Sequence, residues 1–144
     1  MSTRLLDHID LRVSNIARAR KLYDAFFPAV GFTQVRGNTP GDGDEPWAAY
    51  TVEDASLPKP PFVWFNELPG HRGGANRIAF WADSEAEVDR IGEVVRAAGA
   101  CALEGPEYCH EYTPGYYAVF FEDEDGNKWE VCCRNASVRP KPSA

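Results

Sequence analysis

The sequence predicts an α+β fold of two βαβββ modules, and three observations carry that prediction. A strand pattern followed by a helical apolar stripe occurs twice, first near Leu6 and again near Ile78. The two openings superimpose without a gap, residues 7–14 over 76–83, with Leu22 over Ile91. The chain then closes on two aromatic and β-branched stretches, 116–122 and 128–134, joined by Asp123-Glu-Asp-Gly-Asn127. Its Asp-Gly step is a hairpin signal, because such a turn needs residues that tolerate positive φ.

Each element has its own reason. Residues 5–13 alternate, with Ile9, Leu11 and Val13 on one face and Leu6, His8, Asp10 and Arg12 on the other. Ser14 or Asn15 caps a helix whose apolar side is Ile16, Ala19, Tyr23, Phe26 and Phe27. Pro28 and Gly31 close it, and a short strand follows over 31–36. Residues 37–46 form a loop in which Asp42, Asp44 and Glu45 are solvated. Strands at 47–53 and 62–67 flank the Pro-rich turn 57–61. The first module spans about 5–67 and the second about 76–134. The linker between them, 68–75, carries a solvated His71, and the loose tail is 135–144. In the second module a strand covers 77–82, and Ser84 with Glu87 makes a capping box. Val88, Ile91, Val95 and Ala98 form a helical stripe that Gly99 stops. A strand over 101–107 precedes the hairpin. The repeat is roughly 65–70 residues long, longer than the common solenoid periods. The two modules are expected to pack as one domain over 1–144.

Composition narrows the partners. The chain has 144 residues, 44% of them hydrophobic, and a net charge of −7 without a basic cluster. That argues against nucleic acid and anionic membranes. No apolar run approaches the roughly 20 residues of a membrane span. The first residues enter a strand pattern without a signal-peptide core, so a cytoplasmic location is expected. The four cysteines, Cys101, Cys109, Cys132 and Cys133, form no Cys-x-x-Cys pair and are read as reduced thiols. Asn135-Ala-Ser137 matches the glycosylation triplet but carries no weight without a secretion signal.

Three segments resemble the vicinal oxygen chelate superfamily, which includes glyoxalase I, bleomycin-resistance proteins and extradiol dioxygenases. Leu6-Asp-His-Ile-Asp-Leu-Arg-Val13 is similar to the family's first strand, and Arg77-Ile-Ala-Phe80 to the first strand of its second module. Residues 117–131, with Asp-Glu-Asp-Gly-Asn-Lys-Trp-Glu130, resemble its closing hairpin and the acidic residue of its last strand. Tyr112-Thr-Pro-Gly-Tyr-Tyr117 strengthens the match. The resemblance implies a glyoxalase/bleomycin-resistance-type fold with a concave cavity, and a homodimer. Metal-dependent members place one ligand on the first and last strand of each module. The matching positions are His8, about Trp64, Arg77 and Glu130. Trp64 cannot ligate, and Arg77 holds its charge and repels a cation.

Strand parity gives a separate view of the same residues. His8, Arg77 and Glu130 each lie opposite the apolar residues of their strand, so all three face away from the helix layer. Glu130 interrupts an apolar run, and a carboxylate there is costly unless it is paired or bound to a metal. Three readings stand side by side. In the first, His8 and Glu130 bind a divalent ion (Fe, Mn, Ni or Zn) that polarises a bound oxygen, with a third ligand from His110, Glu111 or Tyr112. In the second, the pocket is metal-free: Arg77 pairs with Glu130, and His8 hydrogen-bonds nearby. Phe62, Trp64, Trp81, Tyr112 and Tyr117 then wall an organic ligand, with His110 at the mouth. Tyr116 and Tyr117 alternate, so only one of them faces the cavity. In the third, the polar cluster is a satisfied structural network. The second reading leads: a small-molecule-binding protein whose cavity is lined by His8, Arg77 and Glu130, with an incomplete metal site. The alternative is a metal-dependent lyase or dioxygenase, with Glu130 as base or ligand and His8 as ligand or hydrogen-bond donor.

Overall fold

The computed structural model describes residues 5–38, 43 and 45–135. The expectations for Asp42, Asp44, the tail beyond Asn135 and most of the glycosylation triplet lie outside them. Two compact units, residues 1–72 and 73–144, divide the chain inside the segment read as a linker. In the first unit β1 (His8–Val13), α1 (Ile16–Ala29), β2 (Gln34–Gly37), β3 (Trp47–Thr51) and β4 (Phe62–Glu67) follow in order. In the second, β5 (Arg77–Trp81), α2 (Glu85–Ala97), β6 (Cys101–Tyr108), β7 (Tyr116–Glu122) and β8 (Lys128–Arg134) repeat that order. The sheets have one topology, β1-β4-β3-β2 and β5-β8-β7-β6, with the first and last strands of each unit parallel. The repeat read from the sequence is thus a repeat of sheet connectivity.

The first unit is held by aromatic packing. Tyr23, Phe26 and Phe27 of α1 are buried against β3 and β4, where Tyr23 stacks on Phe65 at 4.6 Å and Phe27 on Tyr50 at 4.6 Å. The Tyr50 hydroxyl donates to Asp24 Oδ1 at 2.8 Å, so the buried phenol keeps a partner. Asn15 caps α1 by accepting from Arg18 N. Pro28 lies within the last turn rather than beyond it, and Gly31 at φ +107° turns the chain away. Several boundaries differ from expectation, and β3 ends at Thr51 rather than at residue 53. Leu5 and Leu6 are exposed and precede β1, and β2 begins three residues later, at Gln34.

The second unit packs with aliphatic side chains. Val88, Ile91 and Val95 of α2 are fully buried, and Gly92 admits Pro106 of β6 against the helix. Ser84 accepts from Glu87 N as the expected capping box requires, while Glu87 Oε2 reaches one residue farther back and accepts from Asp83 N. The β7–β8 hairpin is braced from outside by the segment before β5, where Gly73 N donates to Asp125 O at 2.8 Å.

That brace leaves no room for a side chain at Gly73. A Cβ there would collide with the backbone of Gly126 and Asn127, whereas one at Gly74 meets open space. Gly73→Ala is therefore expected to lower unfolding free energy by about 1–3 kcal/mol, the usual cost of overpacking. Gly74→Ala should leave it nearly unchanged in the same denaturant titration.

Candidate ligand-binding site

In the second unit the helix marks which side of the sheet is which. Tyr117 donates its hydroxyl to Asp89 Oδ1 of α2 at 2.6 Å, and Val119 lies beside Gly92. Alternation turns Tyr116, Ala118, Phe120 and Glu122 to the helix-free face. The register then sets Phe120 opposite Glu130, Ala118 opposite Cys132 and Tyr116 opposite Arg134. On the other side of β8, Ala79 lies opposite Glu130 and Trp81 opposite Cys132. Glu130 thus sits mid-sheet on the helix-free face, as parity predicts.

Glu130 is buried, with 6% exposure, and its Oε1 accepts a short hydrogen bond from the Tyr116 hydroxyl. That bond answers the cost of placing a carboxylate in an apolar strand. The Tyr116 ring packs on Cys109, Ala118, Phe120 and Cys132. Burial first, then contacts with Cys132 and Glu130, hold its hydroxyl protonated well above the ordinary tyrosine range. Tyr116 is therefore the donor. Among the described residues no buried side-chain oxygen or nitrogen lacks a partner. The second oxygen of Glu130, which makes no hydrogen bond, accordingly keeps a path to solvent.

Arginines and aromatics complete this face. The Arg77 guanidinium lies over the Phe120 ring at 4.8 Å. Arg134 lies over Trp81 at 4.9 Å and Tyr116 at 5.9 Å. Tyr112 meets Tyr116 edge-on at 5.3 Å. Trp81 and Tyr112 are exposed. The expected Arg77–Glu130 ion pair is not formed. Arg77 lies across from Lys128, two positions along β8 from Glu130, and turns over Phe120 instead. Lys128 is neutralised by a short ion pair with Glu122.

Two sequence candidates belong elsewhere. Tyr117 points to α2, where Asp89 and burial push its hydroxyl up to about 12. His110 stacks on Tyr108 at 5.0 Å, and Tyr108 donates to Glu85 of α2, so this group is on the helix side. Tyr116, Phe120, Cys132 and Arg134 were not singled out as ligand contacts. Counting back from a hairpin that pairs Glu122 with Lys128 finds all four on Glu130's face, through alternation along β8 and cross-strand pairing.

The first unit carries its own set. His8 stacks on Phe62 at 4.8 Å, and its Nδ1 lies 2.6 Å from Asp7 Oδ1. Trp64 stacks on Trp47 at 4.6 Å, and its Nε1 donates to Asn66 at 2.8 Å. His8 is paired with Phe62 as Arg77 is with Lys128, so Trp64 holds the place that Glu130 holds in the second unit. A separate cavity of about 390 Å³ at the start of α1 is lined by Asn15, Ile16, Arg20 and Glu67 among others. Glu67 already accepts from Ile16 N at 2.9 Å there.

Two βαβββ units, each with polar and aromatic residues on a helix-free sheet face, define a class of duplicated α+β proteins. The chain belongs to the Glyoxalase/Bleomycin resistance protein/Dioxygenase superfamily, whose family model matches residues 5–131. It is 30% identical over 126 residues to YqjT of Bacillus subtilis (strain 168), covering 88% of this chain and 96% of that one. Crystal structures share the fold. One is a glyoxalase/bleomycin resistance protein from Albidiferax ferrireducens, with TM-score 0.61 and 21% identity over 92% of this chain and all of the other. Another is a mutant fosfomycin resistance protein FosX from Listeria monocytogenes, complexed with Mn(II) and 1S,2S-dihydroxypropylphosphonic acid. Its TM-score is 0.61 at 17% identity, covering 94% of each chain.

Tyr116→Phe removes the one hydrogen bond that the buried Glu130 carboxylate receives among the described residues and is expected to cost about 1–3 kcal/mol of stability. Tyr117→Phe, at an exposed bond, should cost clearly less in the same unfolding experiment. Thiol accessibility gives a second check. Cys101 is exposed, whereas Cys109, Cys132 and Cys133 are buried, and burial pushes the Cys109 thiol up to about 11. Native protein at pH 8 should react rapidly with a disulfide reagent at Cys101 and slowly elsewhere. Peptide mapping of the labelled cysteine reads the outcome.

Proposed function

We propose that the chain is a small-molecule-binding protein of this superfamily, and that its metal site is incomplete. The ligand meets the helix-free face of the second unit, where Glu130 and Tyr116 present an acceptor and a donor on an apolar floor. One observation carries the reading: what stands at the positions where metal-dependent members hold ligands. Arg77 brings a fixed cation stacked on Phe120, and Trp64 brings an indole whose nitrogen donates to Asn66. Neither has an electron pair to give a metal, and the guanidinium opposes one electrostatically. Within neither unit do three His, Cys, Asp or Glu side chains cluster among the described residues.

A second reading has its own support. Asp7 engages His8 Nδ1, which leaves Nε2 for a ligand, the arrangement common to metal-bound histidines. The FosX relative holds Mn(II). Under that reading His8 and Glu130 ligate a divalent ion in a lyase or dioxygenase. The family also suggests a homodimer.

Metal content separates the two. Purified protein reloaded in turn with Fe(II), Mn(II), Ni(II) and Zn(II) should retain less than about one equivalent by elemental analysis. Stoichiometric retention that disappears in Glu130→Gln would overturn the proposal in favour of the metal enzyme.

A further inference from the structure

We infer that Arg77 is an oxyanion anchor, and that the ligand is a carboxylate-bearing organic molecule with an apolar body. This rests on the ligand-binding reading above and adds the chemical class. It begins with a charge left over. Acidic residues outnumber basic ones, 22 to 15. Accordingly Arg12, Arg20, Arg90 and Arg96 all find carboxylate partners, on Asp10, Asp24, Glu87 and Glu93. Arg77 has none among the described residues. Its guanidinium is held instead against the Phe120 ring, which fixes the plane of the group without using its N–H donors.

The neighbours leave that charge in place. Lys128, directly across from Arg77, is neutralised by Glu122. Glu130 is the nearest acid by register, but it makes no ion pair with Arg77, and one of its oxygens is capped by Tyr116. A planar, exposed, uncompensated fork matches a carboxylate, which it can grip through two parallel N–H···O bonds. Beside it lies an apolar floor, bounded on the β6 side by Glu104 and Glu107, which pair across from Phe120 and Ala118. Phe120, Ala118, Cys132 and Cys109 are buried and form a floor, with exposed Trp81 as a wall across from Cys132. An acid whose head lies on Arg77 can lay its body along that floor. A neutral head would leave the guanidinium unmatched, and a cationic head would be repelled from Arg77 itself.

Calorimetric titration of the whole chain with four matched probes tests this: phenylacetate, phenylphosphonate, phenylacetamide and 2-phenylethylammonium. The carboxylate should bind at least about tenfold more tightly than the amide, a typical margin for a charge-assisted bidentate contact. The ammonium should not bind. Arg77→Met keeps an apolar stem over Phe120 and deletes the charge. It should bring the carboxylate down to the level of the amide, while Arg96→Met leaves the preference intact. Equal binding of acid and amide, or a preference that survives Arg77→Met, overturns the anchor and leaves the pocket reading standing. Tighter binding of phenylphosphonate alone assigns the anchor to a tetrahedral oxyanion and overturns the carboxylate. Failure of all four probes at millimolar concentration overturns the pocket along with the anchor. A dimer that dissociates in Arg77→Met by sedimentation, with no probe bound, gives the face to a second copy and overturns the proposal.

Discussion

Asp123 is 5% exposed, and both its carboxylate oxygens are filled from within its own turn. Oδ1 accepts from Asp125 N and Asn127 N, each at 2.9 Å, and Oδ2 from the Asn127 side chain at 2.7 Å. Gly126 supplies the positive φ, +85°, that closes the loop. The consequence reaches well beyond the turn. A hairpin loop of fixed length pairs Glu122 with Lys128, and every later pair follows from it. Phe120 falls opposite Glu130 and Tyr116 opposite Arg134. A slip by one residue would send Tyr116 to the helix side and bring Tyr117, committed to Asp89, in its place. Glu130 would then lose its donor. The site is local chemistry resting on a register set by one buried carboxylate at the turn.

The same register explains how a carboxylate and a guanidinium share one sheet face without joining. Residues directly opposite each other on neighbouring strands are close, and diagonal ones lie farther apart. Ala79, not Arg77, is opposite Glu130. Tyr116 reaches Glu130 from the other flank, and Phe120 offers Arg77 a flat surface. Each polar group is satisfied by a different neighbour. The face therefore keeps separated charges of opposite sign, which can orient a ligand, where a closed ion pair would cancel them.

The fold was legible because its signals are local. The strands at 62–67, 116–122 and 128–134 match the structure residue for residue, since alternation, β-branching and a turn motif agree there. Both helix caps come from short polar residues at the predicted positions. The errors arose where a contact decides between two locally equivalent choices. Tyr116 and Tyr117 have the same side chain, and only Asp89 on α2 and the cross-strand pairs tell them apart. His110 was drawn to the site by its chemistry, but ring stacking on Tyr108 holds it on the other side. Arg77 was placed on the correct face by parity and given the wrong partner, because parity says nothing about diagonal distance. Leu5 and Leu6 continue the alternating pattern of β1, yet they are exposed and precede its paired residues.

The two units show what duplication permits. Their connectivity is the same, and the helix-facing layer of each is apolar, because that layer holds the sheet to its helix. Within that constraint the means differ: the first unit's helix brings aromatics that stack on its sheet, and the second unit's helix brings valines and an isoleucine. The helix-free faces carry no such obligation and have diverged further. At equivalent register one presents His8 and Trp64, the other Arg77 and Glu130. A site that needs matching ligands from both units is sensitive to either substitution. A surface that binds through shape, ring stacking and fixed charge can instead be built on one unit's face. The retained scaffold and the unequal faces are therefore consistent with each other: the layer that must pack is held to an apolar composition, and the layer that meets a ligand is free to change its chemistry.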